Sequence, residues 1–596
     1  MEATTSHAQA NAAVTRLERI AFIALSAVVF IYVLVRAALI PLVHDEVTSF
    51  LAYAQTGRFL PFASMWDANN HYLNSLLGWV GYKVFGLHLL ALRWASVLSF
   101  IPYAWAAAKL GEGLRSRTVR WCLWSALLMC PFLLDFFSLF RGYGPAMSCL
   151  LWALYQLVRF VQERHTRWLV HALFAMALAN GFLLAFLPLW GVALLVVLPI
   201  VRAHADQRRW WFLLGALPFL AAAALAMYMA RLGLLYQGTT EGFVAVSISS
   251  LMVRMFGPEG MTVAPIVIVL IIAASSLIVS NAIRERNWRS PAILIAALFW
   301  CEVLGRIVAA KLIGLNYGED RTALHYVLLG IPLAAFAADA LTIRARWAWV
   351  LVLPLLALPM RAVFTANKDH TVLWPEQSIP DRFVHHVAQL EERLGRPAVV
   401  STHRHAGLPW SLQRRMLGGE GDANAHSWPH GMDDARIVVP SVLEEARAGF
   451  SVVDSAPGNL LYLLLRDPPL RTATILDTSF AIIATDTKHS EALRIPADAL
   501  RTSDLLVEIG GSLSAETSPL DLRLAISVLD SGGATLHSDL VFLNTRGEHW
   551  NGEQWRCIRH IPMQPSASYA EVFLWSPDSA RYKLEQGRMI VRTASP

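Results

Sequence analysis

The chain has 596 residues, 55% of them apolar and only 16% charged, with a mean hydropathy of +0.45. That leaves too few solvated side chains to cover a soluble globule of this size, so the sequence belongs in a bilayer. The net charge of +6 resides in short arginine clusters between apolar runs, which argues against a nucleic-acid-binding face and reads as a topology signal.

The first 18 residues are polar and lead into an apolar run whose end, Arg36 to Pro41, lacks a small-residue cleavage pattern, so it reads as an uncleaved signal anchor. Runs of the ~20 residues needed to span occur near 20–42, 88–110, 119–138, 144–162, 168–183, 184–201, 211–230, 262–282, 291–310, 323–342 and 347–364, about eleven in all. The fifth and sixth meet at Asn180-Gly181. Alternate connections are Arg-rich: Arg16 and Arg19; Arg115, Arg117 and Arg120; Arg159, Arg164 and Arg167; Arg202, Arg208 and Arg209; Arg284, Arg286 and Arg289; Arg344 and Arg346. The positive-inside rule places these in the cytoplasm, with the N-terminus (1–18). The membrane region is then 19–364, its first outer loop is 43–87, and everything after 364 lies outside, which is the periplasm in a Gram-negative cell.

Within that outer loop, His71 to Gly86 is too short to span and carries His71, Asn74 and Lys83. Its Leu73, Leu76, Leu77, Val80 and Val84 recur at the helical period, which predicts an interfacial helix. Glu46 to Thr56 has the same character, with Val47, Phe50, Leu51 and Ala54 on one face, Asp45 at the N-cap position and Gly57 just past the end.

After Phe364 the composition turns polar. From 365 to 474, helical stretches (382–394, 442–448) alternate with β-like runs (398–401, 436–439, 460–465), which predicts an α/β region. From 475 to 596 the pattern is strands and turns, with strands expected at 503–508, 521–529, 540–543, 571–575 and 589–592, which predicts a β-sandwich. Trp550, Trp555 and Trp575 are available to hold sugars there, although core packing is the commoner fate of such residues. Four of the five cysteines lie in apolar segments and only Cys557 in the soluble part, so no disulfide can form within it.

Polar groups at a membrane surface are costly unless they line a wet or ligand-filled cavity. The first outer loop is richest in them: His44-Asp45-Glu46, Asp67, Asn69-Asn70-His71 and Asn74. A partly desolvated carboxylate can take the proton of an attacking hydroxyl, while the plainer reading of Asp45 is a helix cap and of His71 a hydrogen-bonded interfacial residue. Outer-facing Arg93, Arg141 and Arg321 suit a phosphate through the paired donors of the guanidinium. Lys311, Arg231 and Arg254 read as residues that snorkel to the interface. No Gly-rich phosphate loop, Cys/His metal cluster or nucleophile elbow stands out.

Asp45-Glu46, the Asn69-Asn70-His71-Tyr72-Leu73-Asn74 segment, Phe85-Gly86 with Ala91-Leu92-Arg93, and Arg141-Gly142-Tyr143 resemble the membrane-embedded GT-C glycosyltransferases. The style is similar to the protein O-mannosyltransferases and the lipid A aminoarabinose transferases. The resemblance is strongest over 20–160 and weaker to about 335. At the tenth span the family often has Arg-Tyr where this chain has His325-Tyr326, with Arg321 one turn earlier in a position to supply the cation. The resemblance implies a GT-C-like polytopic α-helical fold and transfer of a sugar from a polyprenyl-phosphate donor to a lipid, glycan or protein acceptor at the outer face of a bacterial plasma membrane. It implies Asp45 as catalytic base, with Glu46, Asn70, His71, Asn74, Tyr143, His325 and Tyr326 orienting sugar or acceptor, and Arg93, Arg321 and Arg141 holding the phosphate. No cofactor is required by this chemistry, and a divalent ion held by Asp45 is compatible with it. A transporter or flippase would carry mid-span charges or paired broken helices, for which Asp135 and Glu302 are the few acidic candidates, and no internal repeat is seen. A non-catalytic membrane protein presenting a glycan-binding domain is the third class.

Overall fold

The computed structural model describes residues 14–61, 67–202, 207–235, 238–342, 346–418, 426–428, 431–484, 488–516, 520–545, 550–577 and 579–594. The first 13 residues and Arg344, both used in the topology reading, lie outside this set. The chain divides into two compact units, one made of Met1–Leu39, Met65–Gly78 and Leu92–Lys368, the other of Ile40–Ser64, Trp79–Ala91 and Asp369–Pro596.

The first unit is helical. Among the described residues, seven helices are long and apolar enough to cross a membrane: Arg16–Leu39, Leu89–Glu112, Leu184–Arg202, Arg209–Arg231, Val244–Glu285, Pro291–Ile313 and Asp320–Thr342. An eighth is gained if Arg117–Leu128 and Pro131–Phe137, bent by 50°, count as one. The third predicted span is therefore broken, because Pro131 starts a new helix with Cys130 in an extended conformation before it. Helices also occupy the fourth and fifth predicted spans, as Tyr143–Glu163 and Thr166–Phe182. The fifth and sixth predicted spans part at the extended Leu183, slightly beyond Asn180-Gly181. The last predicted span, 347–364, is a 3-10 helix over Arg346–Leu356 followed by an α-helix over Ala357–Phe364.

Local signals explain where helices start and stop. Ser116 and Ser290 are N-caps whose hydroxyls accept from Val119 and Ile293, Pro291 fills the first helical position, and Gly314 closes that helix at φ +67°. The helix Arg209–Arg231 leaves Leu213, Leu214, Leu217 and Leu220 exposed, as expected of a surface solvated by lipid tails. The acids flagged as mid-span are paired: Asp135 with Arg36, and Glu302 with Arg306 at 2.9 Å. A buried charge is tolerated on such terms. Arg254 does more than snorkel, since it pairs with Asp320 at 2.9 Å.

In the second unit, a mixed sheet is ordered β2-β1-β3-β5-β4, from strands β1 (Val400–Thr402), β2 (His426–Ser427), β3 (Ala435–Val438), β4 (Phe450–Ser455) and β5 (Tyr462–Arg466). The first three are parallel and the last two antiparallel. Asp381–Leu394, Gly407–Met416 and the short Leu443–Ala446 are its helices. Eight further strands follow: β6 (Thr472–Ala484), β7 (Leu493–Pro496), β8 (Leu505–Ala515), β9 (Arg523–Leu529), β10 (Thr535–Phe542), β11 (Asn551–Ile561), β12 (Tyr569–Trp575) and β13 (Tyr582–Ala594). They form two four-stranded sheets, β10-β9-β12-β7 and β11-β8-β13-β6, so the chain alternates between sheets except at the β9–β10 hairpin. That is the jelly-roll form of the sandwich. Trp550 and Trp555 are buried in its core with Val507, Leu524 and Val591, whereas Trp575 is half-buried and lies under the Arg523 guanidinium at 4.6 Å.

The segment 43–87, read from sequence as the first outer loop, contributes to both units. His44–Ser49 is an α-helix that continues as a π-turn over Phe50–Ala54, with Val47, Phe50, Leu51 and Ala54 buried as the period predicts. The second helix of the loop is Tyr72–Phe85. Its polar and small residues Asn74, Ser75 and Gly78 face inward, while Leu73, Leu76, Leu77 and Val80 are half-buried and Val84 is exposed. The apolar stripe is thus the less buried face of the helix, the inversion expected where the solvent is lipid, with Leu73 packed against Gly181.

Candidate active site

In the first unit, the Arg141-Gly142-Tyr143 motif opens the helix Tyr143–Glu163, with Gly142 as its N-cap. Arg141 is buried and donates to the Asn69 side-chain carbonyl. Its guanidinium also lies 5.8 Å from the Tyr143 ring centroid. The buried Tyr143 hydroxyl accepts from Arg321 Nε at 3.1 Å. His71 meets the same ring edge-on, with centroids 5.1 Å apart. Gly142 makes this packing possible. A Cβ there would stand 2.0 Å from the Phe182 carbonyl oxygen and 3.0 Å from His71 Cβ. One tyrosine ring thus gathers two guanidiniums and an imidazole.

Asn69 is held by a turn in which its N–H donates to Asp67 Oδ1 at 2.8 Å. Asn70 is buried and its Oδ1 accepts from Ser75 Oγ at 2.9 Å, and Asn74 is buried as well. Burial holds the His71 imidazole well below its usual 6.5, and Arg141 and Arg321 push the same way, so the ring is neutral at physiological pH. The linkage has a definite sign. An unfolded chain takes up a proton at His71 as the pH falls through 6.5, while the folded one resists until a lower pH. Stability is therefore expected to fall on acidification below 6.5. Melting temperatures taken between about pH 5 and pH 8 should show a smaller acid loss for His71→Asn than for the native chain.

His325 occupies a different setting from Arg321. It is buried, with Nε2 3.2 Å from Glu302 Oε1 and its ring against Phe186 and Tyr326. Arg321, one turn earlier, is the residue that reaches Tyr143, while Tyr326 packs on Phe243 and Phe299. Arg93 is fully buried and donates to the Ala37 carbonyl at 3.1 Å. Asn69, quoted in the sequence motif without a role of its own, turns out to be the partner of Arg141. The doubled Asn before His71 was its only signal.

In the second unit, Asp45 is the second residue of its helix and not the N-cap expected from sequence. The N-cap is Val43, because Glu46, three residues on, reaches back and accepts the Val43 N–H at 3.0 Å. Glu46 is fully buried in this capping role, whereas Asp45 is half-buried. Among the described residues, no group of three or more His, Cys, Asp or Glu side chains is arranged to hold a metal ion.

No family model and no curated protein matches the sequence. Among solved structures, the chain is similar to ArnT from Cupriavidus metallidurans in the apo state, at 14% identity and a TM-score of 0.41, over 75% of this chain and 97% of that one. The same protein bound to undecaprenyl phosphate matches over the same shares at 16% identity and a TM-score of 0.41. The chain is also similar to arabinosyltransferase EmbB from Mycobacterium smegmatis, at 13% identity and a TM-score of 0.35, over 96% of this chain and 64% of that one. An oligosaccharyltransferase from Archaeoglobus fulgidus matches at 8% identity and a TM-score of 0.30, over 94% of each chain.

Proposed function

We propose that the chain is a membrane glycosyltransferase that moves a sugar from a polyprenyl-phosphate donor to a hydroxyl acceptor at the outer face of a bacterial plasma membrane. The observation that carries this reading is the convergence of Arg141 and Arg321 on Tyr143 beside a neutral His71. Guanidiniums present paired donors that match phosphate oxygens, and their worth rises where water is excluded. The reaction needs little else from the protein. The acceptor oxygen attacks the anomeric carbon, the bond from that carbon to the phosphate oxygen breaks, and the departing lipid phosphate keeps the electron pair. Arg141 and Arg321 stabilise the charge that develops on it. Asp45 takes the proton of the acceptor hydroxyl, as the motif resemblance implies, and His71, Asn70 and Asn74 orient the sugar. A lipid-borne donor fits a chain whose apolar helices keep it in the membrane.

The test uses purified protein, a polyprenyl phosphate carrying a radiolabelled sugar, and a membrane extract as the source of acceptor. Label is expected to leave the donor and appear in an acceptor, with free polyprenyl phosphate formed in equal amount. A protein that only moved the donor across the membrane would leave the sugar–phosphate bond intact, and that outcome would overturn the proposal.

A further inference from the structure

The Asp45 helix cannot stand alone. Six α-helical residues and a five-residue π-turn are far below the length at which a helix holds in water. Its support comes from the outer α/β and jelly-roll regions, which belong to the same compact unit. At the N-terminal end, the His44 N–H is one of the donors that no carbonyl within the helix can reach. It donates to Gln377 Oε1 at 2.8 Å, across 333 residues of sequence, and Gln377 is itself buried. The His44 ring also packs against His405, with centroids 4.8 Å apart.

At the other end, Gln55 directly follows the π-turn and is completely buried. Its Nε2 donates to the Asn544 backbone carbonyl at 3.0 Å, and the Asn544 side chain returns a bond to the Leu51 carbonyl at 3.3 Å. Arg415 of the α/β region donates to that same Asn544 carbonyl at 3.2 Å. Asn544 is buried and lies just after β10 of the jelly roll. Between these two ends the apolar face of Val47, Phe50, Leu51 and Ala54 is sealed, with Phe50 edge-on to Tyr82. Buried amides that satisfy backbone groups at both ends of so short a helix fix its position and its rotation.

We infer that Gln377 and Asn544 are positioning residues that hold the Asp45 helix in place for transfer, so that the outer domain is a working part of the catalytic apparatus. This rests on the reading of Asp45 as the base. A carboxylate displaced by about 1 Å loses on the order of a hundredfold in rate, while donor affinity does not depend on it.

The experiment compares Gln377→Leu, Gln377→Glu, Asn544→Ala and Asp45→Asn in the full-length protein. Each is measured for kcat, for affinity toward a non-transferable polyprenyl-phosphate donor analogue, and for amide hydrogen exchange over residues 44–55. Gln377→Leu and Asn544→Ala are expected to lower kcat by roughly 10- to 100-fold, to speed exchange over 44–55, and to leave analogue affinity unchanged. Gln377→Glu keeps the acceptor oxygen for the His44 N–H and should restore both kcat and exchange. Native kcat and native exchange in Gln377→Leu and Asn544→Ala would overturn the inference. Faster exchange together with native turnover in Asp45→Asn would leave the docking intact and remove the base reading instead. If Asn544→Ala unfolds the jelly roll, the Gln377 pair decides the matter alone.

Discussion

Replacing Asp45 by Asn should lower sugar transfer by roughly 10²–10⁴-fold, the range typical of losing a general base, while expression and melting temperature stay near native. The structure sharpens this expectation. The capping of the helix is done by Glu46 through the Val43 N–H, so the Asp45 carboxylate is not needed to start the helix. Asp45 is half-buried and Asn is nearly its isostere, so packing should survive the change. Glu46→Gln serves as the contrast. It retains a carbonyl oxygen for the cap, and its expected loss is confined to stability. Near-native turnover in Asp45→Asn would demote that residue to a polar surface group.

Arg321→Ala should weaken binding of a non-transferable donor analogue by about 10- to 150-fold, the equivalent of ~1.5–3 kcal/mol for a charge-assisted hydrogen bond. Arg321 is half-buried and donates from Nε to the Tyr143 hydroxyl, which holds its guanidinium beside that ring, and a guanidinium so placed suits a phosphate. Arg321→Lys keeps the charge and loses the fork, so it should fall between the native chain and Ala. Arg141→Ala should weaken the analogue as well, and it also releases Asn69. Arg93→Ala is the informative control. That side chain is fully buried on the Ala37 carbonyl, and its removal should lower the melting temperature with little change in analogue affinity. Unchanged dissociation constants in both Arg321→Ala and Arg141→Ala would take the phosphate site away from this cluster.

Much of the architecture was legible because lipid enforces long apolar runs and the arginines mark their ends. Ser290-Pro291 and Gly314 bracket a helix in the way their chemistry dictates. The sandwich was legible where one face alternates, as in β9 and β12, whose Leu524, Ile526, Val572 and Leu574 all enter the core. The strand β11 was not. Arg559 stands at an inward position between Cys557 and Ile561, paired with Asp539 at 2.6 Å, and that charge breaks the alternation on which the reading depends. The Asp45 cap was misplaced because two carboxylates stand side by side, and sequence alone does not say which one turns back to the backbone. The Arg-x-Tyr motif was visible, but its meaning lies in the Phe182 carbonyl beside Gly142, a partner fixed only by tertiary packing.

The hydrogen bond from Gln55 to Asn544 spans 489 residues of chain. A ribosome adding about 5–20 residues per second finishes residue 55 on the order of tens of seconds before it reaches residue 544. Throughout that interval the segment around Asp45 is already made and the seat that orders it does not yet exist. The carboxylate proposed as the base is therefore made long before the contacts that hold its helix, and it can take up its final position only after residue 544 has been added.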